Sequence, residues 1–201
     1  MVAERGRGDA GTATRILDVA ERLAQMRGFN GFSYADIAIE LGITKAALHY
    51  HFATKADLGE ALIGRYAARF GEALAAIDAN TAAAPTKLQG YAGLYADVLR
   101  NRRMCLCGML AAEYPTLPGA MQASVVSFFD QNEAWLQEVL EHGRADGSLH
   151  FTGPARDAAR MIISCLEGAM LVARPYRDFP RFQDAAASLI TGFTTPSAVQ
   201  G

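Results

Sequence analysis

Lys45, His49, Tyr50 and His51 fall within seven consecutive residues, and Thr44 precedes them directly. An ammonium, two imidazoles, a phenol and a hydroxyl can all bond phosphate oxygens or the edges of bases. Carried on a helix they would fit the DNA major groove. His51 suits packing or capping better than base reading. Other chemistry finds less support. Catalysis needs a nucleophile with a base, or paired carboxylates, in a cleft. His49, His51 and His142 show no triad spacing, and His150 lies in a polar turn. Glu113 and Glu167 are the only acids within apolar C-terminal segments, where either suits an effector bond or a helix cap. No cluster of His or acidic residues completes a metal site, and no cofactor is implied.

The positioning elements are helices, because apolar residues recur at helical spacing and period-two alternation is missing. A first helix is expected over residues 13–26, with Ile16, Leu17, Ala20, Leu23 and Ala24 on its apolar face and Gly28 as its stop. Ser33 caps a short helix over 34–41 that ends at Gly42, and Thr44 caps another over 45–51. Thr54 opens a long helix reaching residue 77 or beyond, with Asp57 in its first turn. The Ala-rich stretch up to Pro85 marks the best boundary. Further helices are expected over 86–100, 102–113, 120–142, 154–174 and 181–192, followed by a polar tail. The reading is all-α, with a domain over 1–62 that holds a helix-turn-helix at about 33–52, and a helical bundle over 63–201.

The composition bounds the rest. At 201 residues, 51% hydrophobic and 20% charged, the chain can bury a sizeable core. The first dozen residues read as a polar, Gly-rich tail and not as a signal peptide. No apolar run approaches the ~18 residues a membrane span requires, so a cytoplasmic protein is expected. Net charge is −2, and residues 1–71 hold nine Lys and Arg against eight Asp and Glu. Nucleic-acid binding therefore rests on the motif and not on charge. Three cysteines make no disulfide framework. Cys105 follows Arg102 and Arg103, and nearby cations favour thiolate. That leaves electrophile or oxidant sensing as an alternative to the simpler reading of a small buried hydrophobe. Cys105 and Cys107, two apart on a helix, would point in different directions.

Residues 33–58 resemble the TetR family signature. The matching elements are Asp36-Ile37-Ala38, Gly42-Ile43-Thr44-Lys45, Leu48-His49-Tyr50-His51-Phe52 and Lys55-Ala56-Asp57-Leu58, with Leu17-Asp18-Val19-Ala20 and Gly28-Phe29 upstream. The resemblance implies a dimeric, ligand-responsive transcriptional repressor that binds double-stranded DNA. It gives Ser33, Thr44, His49 and Lys55 phosphate-contacting roles and sets Lys45, Ala46 and Tyr50 near bases or backbone. Leu48 and Phe52 would lock the motif. Two departures stand out: His49 occupies the usual Tyr position, and Ala47 replaces a common Thr or Ser. Ala47 can offer only apolar contact, for example to a thymine methyl.

In the C-terminal part, Tyr91, Tyr95 and Val98 share one stripe, Phe128, Asn132, Trp135 and Val139 another, and Met161, Cys165, Gly168 and Val172 a third. A bundle buries such stripes as core. The resemblance implies that some of them enclose a small-molecule effector, with Tyr91, Tyr95, Cys105, Met109, Phe128, Trp135, Met161 and Cys165 as candidates. It also implies a homodimer through the last two helices, whose small residues permit close approach.

Overall fold

The computed structural model describes residues 3–194, with side chains from residue 11 onward. Met1, Val2 and the expected polar tail from residue 195 lie outside the described residues. Among the described residues nine α-helices follow in order: α1 (Ala3–Arg27), α2 (Tyr34–Leu41), α3 (Lys45–His51), α4 (Lys55–Asn80), α5 (Ala84–Arg100), α6 (Leu106–Ala112), α7 (Gly119–Ala145), α8 (Ala155–Tyr176) and α9 (Phe179–Thr194). A single 3-10 turn, Tyr114–Thr116, precedes α7. No strand occurs among the described residues. Two expectations shift. The first helix begins at Ala3 instead of residue 13, running through a Gly-containing stretch that helix propensity disfavours. The sixth begins at Leu106 instead of residue 102, because Arg102 turns left-handed at φ 56° and breaks the helical path.

The helices pack into two units. The first holds the residues up to Ala68 together with Leu106–Val126; the second holds Arg69–Cys105 and Ser127 onward. A boundary at residue 62 would leave α6 with the C-terminal part, whereas its buried Leu106, Cys107 and Leu110 belong to the first unit, where α6 packs on α1.

The first unit's core is assembled from Ile16, Ala20 and Leu23 of α1, Ile37 of α2, Leu48 of α3, and Leu58, Leu62 and Ile63 of α4. Polar ties reinforce it. Arg65 of α4 donates to Asp18 (2.7 Å) and to the buried Glu21 (2.8 Å) of α1. Arg22 of α1 pairs with Glu40 of α2. In the second unit α8 packs on α9 and both pack on α5. Met170, Phe182 and Phe193 are buried there. The backbone N–H of His150 donates to the Phe193 carbonyl at 2.7 Å. Arg102 follows the end of α5 and Arg177 caps α8; both are left-handed (φ 56° and 53°), each at a strain of about 1 kcal/mol for a non-glycine residue.

Candidate nucleic-acid interface and effector site

Local capping builds the helix-turn-helix. Asp36 accepts from the Ser33 backbone N–H (2.8 Å) and hydroxyl (2.6 Å), fixing the start of α2. The Ser33 bonds hold the Asp36 carboxyl below the usual carboxylate range. Gly42 ends α2 at φ 64°, donating back to Ile39, and Ile43 donates to Ala38. Thr44 Oγ1 accepts from the Ala47 N–H at 3.1 Å and starts α3. Thr54 and Asp57 exchange bonds of 2.9 and 3.1 Å at the start of α4.

These caps orient α3 with Leu48 fully buried. Lys45, Ala46, His49 and Tyr50 stand exposed, and Ala47 and His51 are half-buried. Tyr50 is 76% exposed, with the His51 ring edge-on at 5.3 Å. Thr44 and Ser33 are also exposed, and both serve as caps. His49 Nδ1 lies 2.9 Å from the Ala53 carbonyl. A carbonyl can only accept, so Nδ1 carries the hydrogen and Nε2 of the neutral ring is an acceptor.

Lys55 turns inward. Its ammonium donates to the Phe29 carbonyl (2.5 Å) and to that of Phe32, lying over both rings. Burial lowers its pKa from the ordinary lysine value. The side chain thus ties the α1–α2 loop to α4. Lys55→Met is expected to lower unfolding stability by about 2 kcal/mol through the two abandoned carbonyls. The slope of DNA affinity against salt should stay the same, whereas loss of a phosphate contact would reduce it by about one. Denaturant unfolding and salt titration separate the two.

Sequence reasoning missed Tyr34. Its hydroxyl lies 2.9 Å from the Phe52 carbonyl and 2.6 Å from that of Thr54, clamping the α3–α4 connection. Burial pushes its pKa up to about 12. The only sequence signal was a tyrosine at the first position of a short helix, on the same side as Ile37, Ala38 and Leu41.

In the second unit, Tyr91, Tyr95 and Phe128 are buried and come together. Tyr91 and Tyr95 have ring centroids 5.4 Å apart, and Trp135 stacks on Tyr91 at 5.7 Å. Phe70, which the sequence reading passed over, stands edge-on to Tyr91, Tyr95 and Phe128. The Tyr91 hydroxyl donates to Asn132 Oδ1 at 3.1 Å, and Trp135 Nε1–H donates to Asp78 at 2.8 Å. Glu167 is largely buried; burial raises its carboxyl pKa to about 7, against which a Cys105 hydrogen bond works. Glu167 Oε1 is buried without a hydrogen-bond partner.

The remaining candidates differ in their placement. Met109 belongs to the first unit, on α6. Met161, 47% exposed, and Cys165 lie on the outer face of α8. Cys105 and Cys107 are buried. Among the described residues no His, Cys, Asp or Glu group is arranged to hold a metal. No described helix is long and apolar enough to cross a membrane.

Residues 16–62 match the model of bacterial regulatory proteins of the tetR family, and residues 84–189 match that of the tetracyclin repressor-like C-terminal domain. The chain belongs to the TetR family. As a member it is a DNA-binding transcriptional regulator, and both halves of the chain carry the match. This TetR-family protein superposes on a regulator from Agrobacterium tumefaciens with a TM-score of 0.90 and 33% identity, covering 93% of this chain and all of that one. A TetR regulator from Legionella pneumophila gives 0.81 and 33%, covering 89% and 95%. The HTH-type transcriptional repressor NemR of Escherichia coli is a more distant relative, 24% identical over 92% of this chain and 96% of its own.

Proposed function

We propose that the protein is a ligand-responsive repressor that binds a palindromic operator as a homodimer in the cytoplasm and releases it when a small molecule enters the second unit. The observation that carries the DNA half is the exposed face of α3: Lys45, Ala46, His49 and Tyr50 surround a fully buried Leu48. Lys45 and the capped helix start meet phosphate, with Thr44 and Ser33 in support. Tyr50 and Ala46 face base edges, and the half-buried Ala47 beside them offers only apolar contact. The acceptor Nε2 of His49 suits an exocyclic amine of adenine or cytosine.

Dimerisation through α8 and α9 draws support from the outer face of α8. Leu171, Val172 and Tyr176 are 62%, 53% and 63% exposed there, beside Met161 and Cys165. Exposed apolar residues gathered on one helix mark an interface. Two-fold pairing would set the two α3 helices about 34–36 Å apart, one turn of DNA. The effector reading rests on the aromatic group of Tyr91, Tyr95, Phe128 and Trp135, with Cys105 alongside Glu167. A ligand that parts these rings would bias α4, whose residues belong to both units, and couple the two equilibria reciprocally.

Selection from a random duplex pool at fixed salt tests the DNA half. An enriched palindrome is expected, with Lys45→Ala and Tyr50→Ala each weakening it by about tenfold or more. Only Lys45→Ala should flatten the salt dependence. Enrichment of no sequence, with weak salt-sensitive binding throughout, would defeat this reading.

A further inference from the structure

Arginines gather at one end of the second unit. Arg100, Arg102, Arg103, Arg174 and Arg177 border a cavity of about 490 Å3 formed by the last residues of α5, the loop after it, and the junction of α8 with α9. That size falls within the range of small-molecule sites. One carboxylate, Asp178, shares the lining, and it faces Arg181 at 3.6 Å. Arg100 pairs with Asp97 at 2.5 Å and lies over the Phe179 ring. For Arg102, Arg103 and Arg177 no carboxylate lies within ion-pair distance among the described residues.

The backbone supplies an independent observation. Arg102 and Arg177 are the only non-glycine residues at positive φ among those described, and both border this cavity. Each follows a helix end, where glycine ordinarily takes the left-handed turn, as Gly28 and Gly42 do after α1 and α2. The local rule is broken twice, each time by a guanidinium on the same space. Residues held in disfavoured conformations concentrate at functional sites.

We propose that this cavity binds a small organic anion, with a carboxylate or phosphate monoester as its head group and an apolar body. Guanidinium forks take two oxygens of either head group, and three of them have no carboxylate within ion-pair distance among the described residues. Leu99, Met104 and Phe179 give the body an apolar wall. The site is separate from the aromatic group around Tyr91, and its occupancy is measured directly, whatever happens to DNA.

Calorimetric titration of the full chain tests this with phenyl phosphate and 4-phenylbutyrate, alongside inorganic phosphate and the neutral 4-phenylbutanol, at about 50 and about 200 mM salt. One site per chain is expected for the organic anions, weakened by salt. The neutral alcohol and inorganic phosphate should each bind about tenfold more weakly or worse. The tighter of the two organic anions identifies the head group. Arg102→Gly and Arg177→Gly keep the left-handed backbone while removing the guanidinium. Each should weaken binding by about tenfold and leave Tm unchanged or raised, since strain is relieved. Arg103→Gln, away from any strained turn, should weaken it too. The proposal is overturned if neither organic anion binds up to about 10 mM, or if the three variants bind as the parent does. It is also overturned if sedimentation shows that the arginine variants dissociate an oligomer, which would assign these groups to a second copy of the chain.

Discussion

Glu167→Gln is expected to flatten the pH dependence of stability between about pH 4.5 and pH 7, where the parent loses up to about 3 kcal/mol. Burial raises the Glu167 carboxyl pKa from 4.5 to about 7 in the folded chain. Below 4.5 both the folded and unfolded chains hold the proton, so the contribution is complete. Between the two values the unfolded chain releases it while the folded chain keeps it, and stability falls as pH rises. Above 7 the folded chain must carry a largely buried carboxylate whose Oε1 has no hydrogen-bond partner. The neighbouring Tyr91 and Tyr95 stay neutral, because burial raises their phenol pKa values well above the ordinary range, and their hydroxyls are engaged with one another and with Asn132. Glutamine keeps the shape without the proton. Urea midpoints of parent and variant across pH 4 to 8 provide the check, and the difference between the curves isolates this group from all others. Parallel curves would show that Glu167 ionises as freely folded as unfolded.

Gly28→Ala is expected to cost about 3 kcal/mol, through two mechanisms that a double mutant separates. Gly28 ends α1 at φ 85°, where an L side chain adds about 1–2 kcal/mol of strain. Its added Cβ would also lie 2.5 Å from Glu113 Oε1. That carboxylate accepts from the Phe29 N–H at 2.7 Å and the Asn30 N–H at 3.3 Å. Displacing it strands those donors, at about 1–3 kcal/mol. Once Glu113→Ala has removed the carboxylate, Gly28→Ala should cost only its backbone strain, so the double mutant should be more stable than the sum of the singles implies. Strict additivity would show that the carboxylate moves aside freely. Loss of this anchor loosens the chain leading into α2, so DNA affinity should fall with stability.

The helix-turn-helix was legible in the sequence because its determinants are local. Ser33, Gly42, Thr44 and Thr54 start and stop helices through bonds that span three or four residues, and Ile37 and Leu48 are buried as their periodicity requires. The same locality carries the family resemblance. What the sequence left open is long-range. Periodicity shows which side of a helix is apolar but not what that side meets. Tyr91, Tyr95 and Phe128 became core, whereas Met161 and Val172, spaced just as regularly, face outward. Lys55 has the composition of a phosphate ligand, but Phe29 and Phe32, more than twenty residues away, draw its ammonium inward. Residues 102–105 carry basic and apolar groups that fit a helix start, and only the left-handed turn at Arg102 removes them from α6 and sets two arginines on a cavity with Arg177. Sequence alone determined the helices, their caps and the family, because short-range hydrogen bonds and apolar spacing suffice for those. Tertiary structure decided which apolar faces are covered, which charges are buried and which arginines converge, because each depends on residues distant in the chain.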